Sequence, residues 1–244
     1  VAWNYRNKNE RTYTPTWSNA KWDTAAHPGE LSSSSYSTNI SNSLLIQGLL
    51  TYNKTWGVHS IDAMLGASYE SNNANTSLQS VSDFPDDKSW VFDKNKGGTV
   101  KNNEIDYTEN ALLSYFGRVQ YALMDRYLFS ASLRRDGSSK FGSENRWGWF
   151  PSVSAAWKLN EESFMKDIDW LGSAKLRLSW GQAGNDRIGE AQFLSNMVAL
   201  NYAIGNSQNM ASGYVPGNLA NPLLGWETTT SYNIGIDFGV LNNR

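Results

Sequence analysis

The stretch Ser231-Tyr232-Asn233-Ile234-Gly235-Ile236-Asp237-Phe238-Gly239-Val240 decides the fold class. Tyr232, Ile234, Ile236, Phe238 and Val240 take every second place, and Ser, Asn, Gly and Asp fill the others. Side chains of an extended strand point alternately to opposite faces, so a period of two predicts one dry face and one wet or glycine-lined face. The rule holds further back along the chain. Ala174, Leu176, Leu178 and Trp180 alternate with Lys175, Arg177, Ser179 and Gly181; Tyr127, Phe129, Ala131 and Leu133 alternate with Leu128, Ser130, Ser132 and Arg134. Leu113, Tyr115, Gly117, Val119 and Tyr121 oppose Ser114, Phe116, Arg118 and Gln120. Trp149, Pro151, Val153, Ala155 and Trp157 oppose Ser152, Ser154 and Lys158, with Pro151, which has no N–H to donate, expected near a strand end or bulge. Two earlier runs, 38–53 and 58–70, carry Leu44, Ile46, Leu50 and Tyr52, then His59, Ile61, Ala63, Leu65, Ala67 and Tyr69.

Seven strands follow from this, with Val1 to Arg6 as a candidate eighth, each of about 10 to 14 residues. Soluble sheets favour about 5 to 6 residues, whereas a tilted strand needs about 9 to 11 to cross a bilayer core. The connections alternate in size. Lys54 to Gly57 and Ala122 to Arg126 are short, while about 37 residues follow from Ser71 and about 44 run from Gly184 to Thr228. Short turns on one edge and long loops on the other are the pattern of an outer-membrane barrel. The 14-residue link from Asn160 breaks the rule, and its Glu161 to Lys166 run predicts a helical turn. Tyr52, Tyr69, Tyr121, Tyr127, Trp149, Trp157 and Trp180 stand near strand ends, where a girdle ring would be half in lipid. The expectation is an all-β, antiparallel transmembrane β-barrel segment over 1–244, with extracellular loops near 13–37, 71–108, 137–147 and 184–228. A soluble carbohydrate-binding β-sandwich gives the same alternation with its dry faces turned inward, and a diffusion porin gives it in a closed barrel.

Composition narrows the function. The chain has 244 residues, 21 Lys and Arg against 23 Asp and Glu, no Cys, two His and 13% aromatic residues. A net charge of -2 without a basic cluster offers a nucleic-acid backbone no footprint. Thiol, disulfide and iron–sulfur chemistry lack ligands, and no apolar window reaches the ~18 residues of a spanning helix. His27 and His59 are isolated, His59 on the apolar face, and no nucleophile elbow, HExxH or phosphate loop occurs, so no catalytic residue is assigned. The start at Val1 and the stop at Arg244, just after a patterned run, read as a mature or partial chain.

Five separated blocks carry a more specific signal. They are Ser114-Tyr115-Phe116-Gly117-Arg118-Val119; Ala131-Ser132-Leu133-Arg134-Arg135-Asp136-Gly137-Ser138-Ser139-Lys140-Phe141-Gly142 with Asn145-Arg146-Trp147-Gly148; Leu176-Arg177-Leu178-Ser179-Trp180-Gly181-Gln182-Ala183-Gly184-Asn185-Asp186; Asn221-Pro222-Leu223-Leu224-Gly225-Trp226-Glu227; and Asn233-Ile234-Gly235-Ile236-Asp237-Phe238. In order and spacing they resemble the barrel of SusC/RagA-type TonB-dependent outer-membrane transporters, densely over 110–244 and more loosely before. The resemblance implies a plugged barrel of about 22 strands, of which this chain is one arc of seven or eight, without plug or final strands. It also implies nutrient import, of an oligosaccharide or an oligopeptide, across the outer membrane of a Gram-negative, Bacteroidota-like cell. The implied partners are a SusD-like surface lipoprotein, a TonB-ExbB-ExbD complex acting through the plug, and outer-membrane lipid.

On that reading the polar series faces the lumen. Arg118, Arg134, Lys158, Arg177 and Asp237, with Asp62, Glu70 and Lys175, are lumen-facing or plug-contacting candidates. Substrate contact is expected on loops, with Trp22, Trp90 and Phe92 as candidates to stack on sugars or grip apolar peptide side chains. Trp17 and Tyr36 share that ambiguity. No cofactor or metal is assigned; Asp86, Asp87 and Asp93 are a weak calcium candidate whose spacing is not that of an EF-hand loop.

Overall fold

The computed structural model describes residues 1–15, 32–82, 84, 99–165, 171–203 and 210–240. Among these residues ten strands are formed: β1 Ala2–Thr14, β2 Ser33–Trp56, β3 His59–Ser82, β4 Thr99–Leu123, β5 Tyr127–Ser138, β6 Trp147–Lys158, β7 Leu171–Asn185, β8 Met197–Ala203, β9 Met210–Pro216 and β10 Glu227–Val240. Eight make one sheet in the order β1-β2-β3-β4-β5-β6-β7-β10, and β8 and β9 pair separately. The chain divides into two compact units, residues 1–45 with 71–110, and residues 46–70 with 111–244.

In the first unit β1 pairs antiparallel with β2 over thirteen residues, from Ala2↔Leu45 to Thr14↔Ser33. These strands are rich in Thr, which favours strands, and in Ser and Asn, which favour turns unless their side chains find partners across the ladder. Here they do: Thr38 Oγ1 donates to Asn9 Oδ1 at 3.0 Å, Asn39 Nδ2 to Thr76 Oγ1 at 2.7 Å, and Gln79 Nε2 to Asn103 Oδ1 at 3.0 Å. Phe84 is buried with Val81, and its ring meets Tyr13 edge-on at 5.9 Å. The strand period predicts runs of 10 to 14 residues, yet β2, β3 and β4 reach 24 or 25, because cross-strand polar pairs extend them where no apolar period marks them. The loops expected at 13–37 and 71–108 shrink accordingly, with strand over Ser33–Trp56, His59–Ser82 and Thr99–Leu123.

In the second unit the register lines up the apolar rows across strands. Val119 faces Ala131, then Val153, then Trp180, then Tyr232; one step on, Tyr121, Phe129, Ala155, Leu178 and Ile234 follow each other. These rows are exposed: Tyr232 is 78% accessible, Ile234 77% and Phe238 70%, and even on inner strands Val153 and Phe129 are 49% accessible. A sandwich would bury them. Buried apolar side chains in this unit are Phe141, Phe150 and Ala174 among the described residues.

The turns explain one edge. Leu123 and Tyr127 are joined through Met124, Asp125 and Arg126, the first two at positive φ (54° and 58°), with Arg126 N bonded to Leu123 O at 3.0 Å. That is a hairpin turn whose hand matches the twist of its strands. Pro151 sits one residue outside the β6–β7 ladder, which begins at Ser152↔Gly181, so its missing N–H removes no bond there. The helical turn expected over Glu161 to Lys166 falls earlier, as a short 3-10 turn over Leu159–Glu161, followed by a turn in which Met165 N bonds to Glu162 O at 3.0 Å. The expected 184–228 loop contains the β8–β9 hairpin, which its polar and aliphatic mixture did not announce.

Candidate functional site

The polar face of the second unit is where charge is organised. Arg177 lies across Gly235 to reach Asp237, with Nε 2.6 Å from Oδ2 and Nη2 2.7 Å from Oδ1. A Cβ at Gly235 would stand 3.3 Å from that Nη2, so glycine leaves the guanidinium its path. Arg134 is held differently: its Nε–H is shared between both oxygens of Asp136 at 2.8 and 2.7 Å, and Nη2 donates to Ser114 Oγ at 2.9 Å. The Arg134 guanidinium also lies 5.5 Å from the ring centre of Phe116. The two-pronged Arg177–Asp237 pair fixes orientation as well as charge. Lys158 and Lys175 are direct cross-strand neighbours, and Lys175 faces Asp237 on the other side. Arg118 is exposed and has no ion pair among the described residues. Arg118, Arg134, Lys158, Arg177 and Asp237 thus share the face opposite the apolar rows, where the strand period puts them. Ser60, Asp62, Gln120, Ser154, Lys175 and Arg177 border a depression of about 600 Å³ on this face.

The loop-rich edge is held by the motif residues. Phe141 is fully buried against Trp226 (5.4 Å between ring centres), and Trp226 meets Phe150 edge-on at 5.2 Å. Trp226 Nε1 donates to Arg146 O at 2.9 Å, and Asn145 Nδ2 to Pro222 O at 3.0 Å. Ser138 Oγ donates to Asp186 Oδ2 at 2.9 Å. The Asp136-Gly137-Ser138 and Gly225-Trp226 blocks therefore clamp three connections to the sheet.

At the opposite edge Glu162 collects three donors: Tyr127 OH at 2.7 Å, Trp157 Nε1 at 2.9 Å and Arg126 Nη1 at 3.4 Å. The Tyr127 hydroxyl first, then the Trp157 indole and Arg126, hold its carboxyl below the usual carboxylate range against the opposing effect of desolvation. His59 is packed on the apolar face as expected, stacked between Trp56 and Tyr121 with Nδ1 2.6 Å from the Tyr121 hydroxyl.

Trp17, Trp22, Trp90 and Phe92, the loop aromatics singled out for substrate, lie outside the described residues, as do Asp86, Asp87, Asp93 and His27. Tyr36 is a strand residue of β2 under the Arg11 guanidinium, 5.3 Å from its ring centre. Among the described residues no three His, Asp or Glu side chains gather into a metal-binding group. The sequence reading passed over Glu162, and over Arg135, which continues the apolar row of β5.

Comparison with known proteins agrees with this two-faced sheet. The TonB dependent receptor-like, beta-barrel family model matches residues 1–244. The TonB-dependent receptor SusC of Bacteroides thetaiotaomicron is 35% identical over 216 residues, covering 86% of this chain and 20% of that protein. TonB-dependent receptor P39 of Formosa agariphila is 35% identical over 199 residues, 81% of this chain and 19% of that one. Among solved structures, the RagAB peptide importer in its closed-closed state matches with a TM-score of 0.82 at 26% identity, over 99% of this chain and 26% of the matched one. This chain therefore spans about a fifth of the length of these curated relatives. From its alternating wall, its motif clamps and the match along its whole length, the chain belongs to the SusC/RagA-like family of TonB-dependent receptor β-barrels.

Proposed function

We propose that the chain forms part of the barrel wall of an energy-coupled importer that carries a nutrient oligomer, glycan or peptide, across the outer membrane. The observation that carries this is the division of single strands into two surfaces: β5, β6, β7 and β10 expose apolar rows on one side and set the Arg134–Asp136 and Arg177–Asp237 pairs on the other. Such a sheet suits lipid outside and a wet, charged interior inside. The interior pairs are plug contacts on this reading, and recognition falls to the loops, Trp22, Trp90 and Phe92 included. A SusD-like lipoprotein is the outer partner, and a TonB-ExbB-ExbD complex supplies energy through the plug. Peptide as cargo draws support from the RagAB importer, named for peptide; the oligosaccharide implied by the sequence resemblance stays as the second reading.

The test is uptake by cells carrying the full-length transporter, offered labelled oligosaccharide and oligopeptide mixtures. Accumulation of one class that stops when the proton-motive force is collapsed is the expected result. Flux that follows the concentration gradient alone would make the protein a porin and end the proposal.

A further inference from the structure

The apolar row of β5 runs Tyr127, Phe129, Ala131, Leu133 and then, at the loop-rich end, Arg135. Its guanidinium lies 4.5 Å from the ring centre of Trp147 and 5.0 Å from that of Trp149, and Tyr115 stacks on Trp147 at 6.2 Å. Unlike Arg134 and Arg177, it makes no ion pair or hydrogen bond among the described residues, and its Nε is buried without a partner. A cation on a lipid-facing row is costly unless it reaches the interface or an anion. The two indole faces answer part of its charge and offer its N–H groups no acceptor.

From Arg135 the same face continues as an apolar trough. Tyr115, Leu65, Leu133 and Trp149 stand around a floor of Gly117 and Ala131, enclosing about 860 Å³. A second depression of about 640 Å³ shares Val119, Ala131 and Val153 and runs on past Ala155. The floor is low because its residues are small; a Cβ at Gly117 would already meet Leu65 at 3.0 Å.

We propose that this trough holds one phosphorylated glycolipid of the outer leaflet, of the lipid A class, with a phosphate on Arg135 and an acyl chain over Gly117, Ala131 and Ala155. Charge complementarity selects the headgroup, since a phosphate supplies the acceptors the guanidinium lacks. The leaflet follows from the connections. Arg135 stands at the end carrying 139–146 and 186–226, and the opposite end carries the tight turn at Met124 and Asp125; long loops face outward in such barrels. The inference rests on the membrane-wall reading and adds a specific lipid site to it.

The experiment uses full-length transporter purified from membranes as wild type, Arg135→Ala, Arg135→Lys and Ala131→Phe. Native mass spectrometry counts retained lipid, and rebinding is then measured with purified lipid A, dephosphorylated lipid A and phosphatidylglycerol. Wild type should retain one lipid A per barrel through delipidation. Arg135→Ala should lower its affinity about tenfold or more, Arg135→Lys less, and Ala131→Phe should block the chain while leaving Arg135 in place. Retention by Arg135→Ala equal to wild type, equal binding of phosphatidylglycerol or dephosphorylated lipid A, or a wild type without bound lipid would each overturn the site. Heat-modifiable migration of every variant from the membrane fraction tests the wall reading separately: its loss in wild type would sink that reading, whatever lipid is bound.

Discussion

Val153→Arg is the sharpest probe of which face meets lipid. Val153 lies on β6 four residues from Trp149 and four from Trp157, all on the same face. At ~3.3 Å per residue the two indoles are about 26 Å apart along the strand, and a tilt of about 35 to 45° reduces this to roughly 20 Å of height. That approximates the ~25 Å apolar band between aromatic girdles and places Val153 near its middle. The side chain is half exposed, so arginine would fit sterically and the cost would be one of solvation. At the midplane that cost is about 2 to 4 kcal/mol, a factor of roughly 30 to 900 in the folded-to-unfolded ratio. Two controls bracket it. Trp157→Arg, at the other girdle and beside the Glu162 carboxylate, should cost only about 0 to 1 kcal/mol from the charge, and Ser154→Arg, one residue on and facing the polar side, should be tolerated. The readouts are the urea midpoint of the full-length transporter in bilayers and its heat-modifiable migration. Unchanged stability in Val153→Arg, with loss in Ser154→Arg, would refute the assignment of faces.

Other substitutions test the edges. Trp226→Ala should cost about 2 to 3 kcal/mol by uncovering Phe141 and Phe150, and should speed proteolysis within 186–226 while leaving the wall intact. Gly137→Ala would set a Cβ 2.9 Å from the Trp147 ring, which Tyr115 and Arg135 hold in place, and should lower the stability read from urea unfolding by about 1 to 3 kcal/mol. Because the folded carboxyl of Glu162 sits below its unfolded value, its contribution is present above about pH 4.3 and is lost as pH falls through the lowered value. Fluorescence of Trp157 should report that loss on acidification, and Glu162→Gln should flatten the step; an unchanged acid profile would remove Glu162 as its source.

Much of the wall was legible because period and register are the same fact: once Val153 and Val119 belong to apolar series, antiparallel pairing aligns them with Ala131. Strand length was less legible. Ser71-Asn72-Asn73 and Asn102-Asn103 have loop composition, and only their cross-strand partners, such as Gln79 with Asn103, make them strand. The faces of Arg134, Arg177 and Asp237 could be read directly, but their partners could not, since Arg177 reaches Asp237 diagonally across Gly235 rather than straight over the ladder. Arg135 is within reach of the same period: counting two beyond Leu133 puts a cation on the greasy row. Glu162 carried no signal, because its three donors come from sequence positions with no shared pattern.

The connection from β7 to β10 differs in kind from the tight turns. It joins neighbouring strands of the large sheet with another strand pair folded inside it, tied at its base where Asn218 bonds to Leu194 and Asn196. Closing a longer loop costs only about 0.6 kcal/mol for each doubling of its length, and a hairpin that closes on itself shortens the path left to close. This segment is therefore the inexpensive place to graft, trim or diversify outer surface while the hydrogen-bond ladder beneath it stays in register.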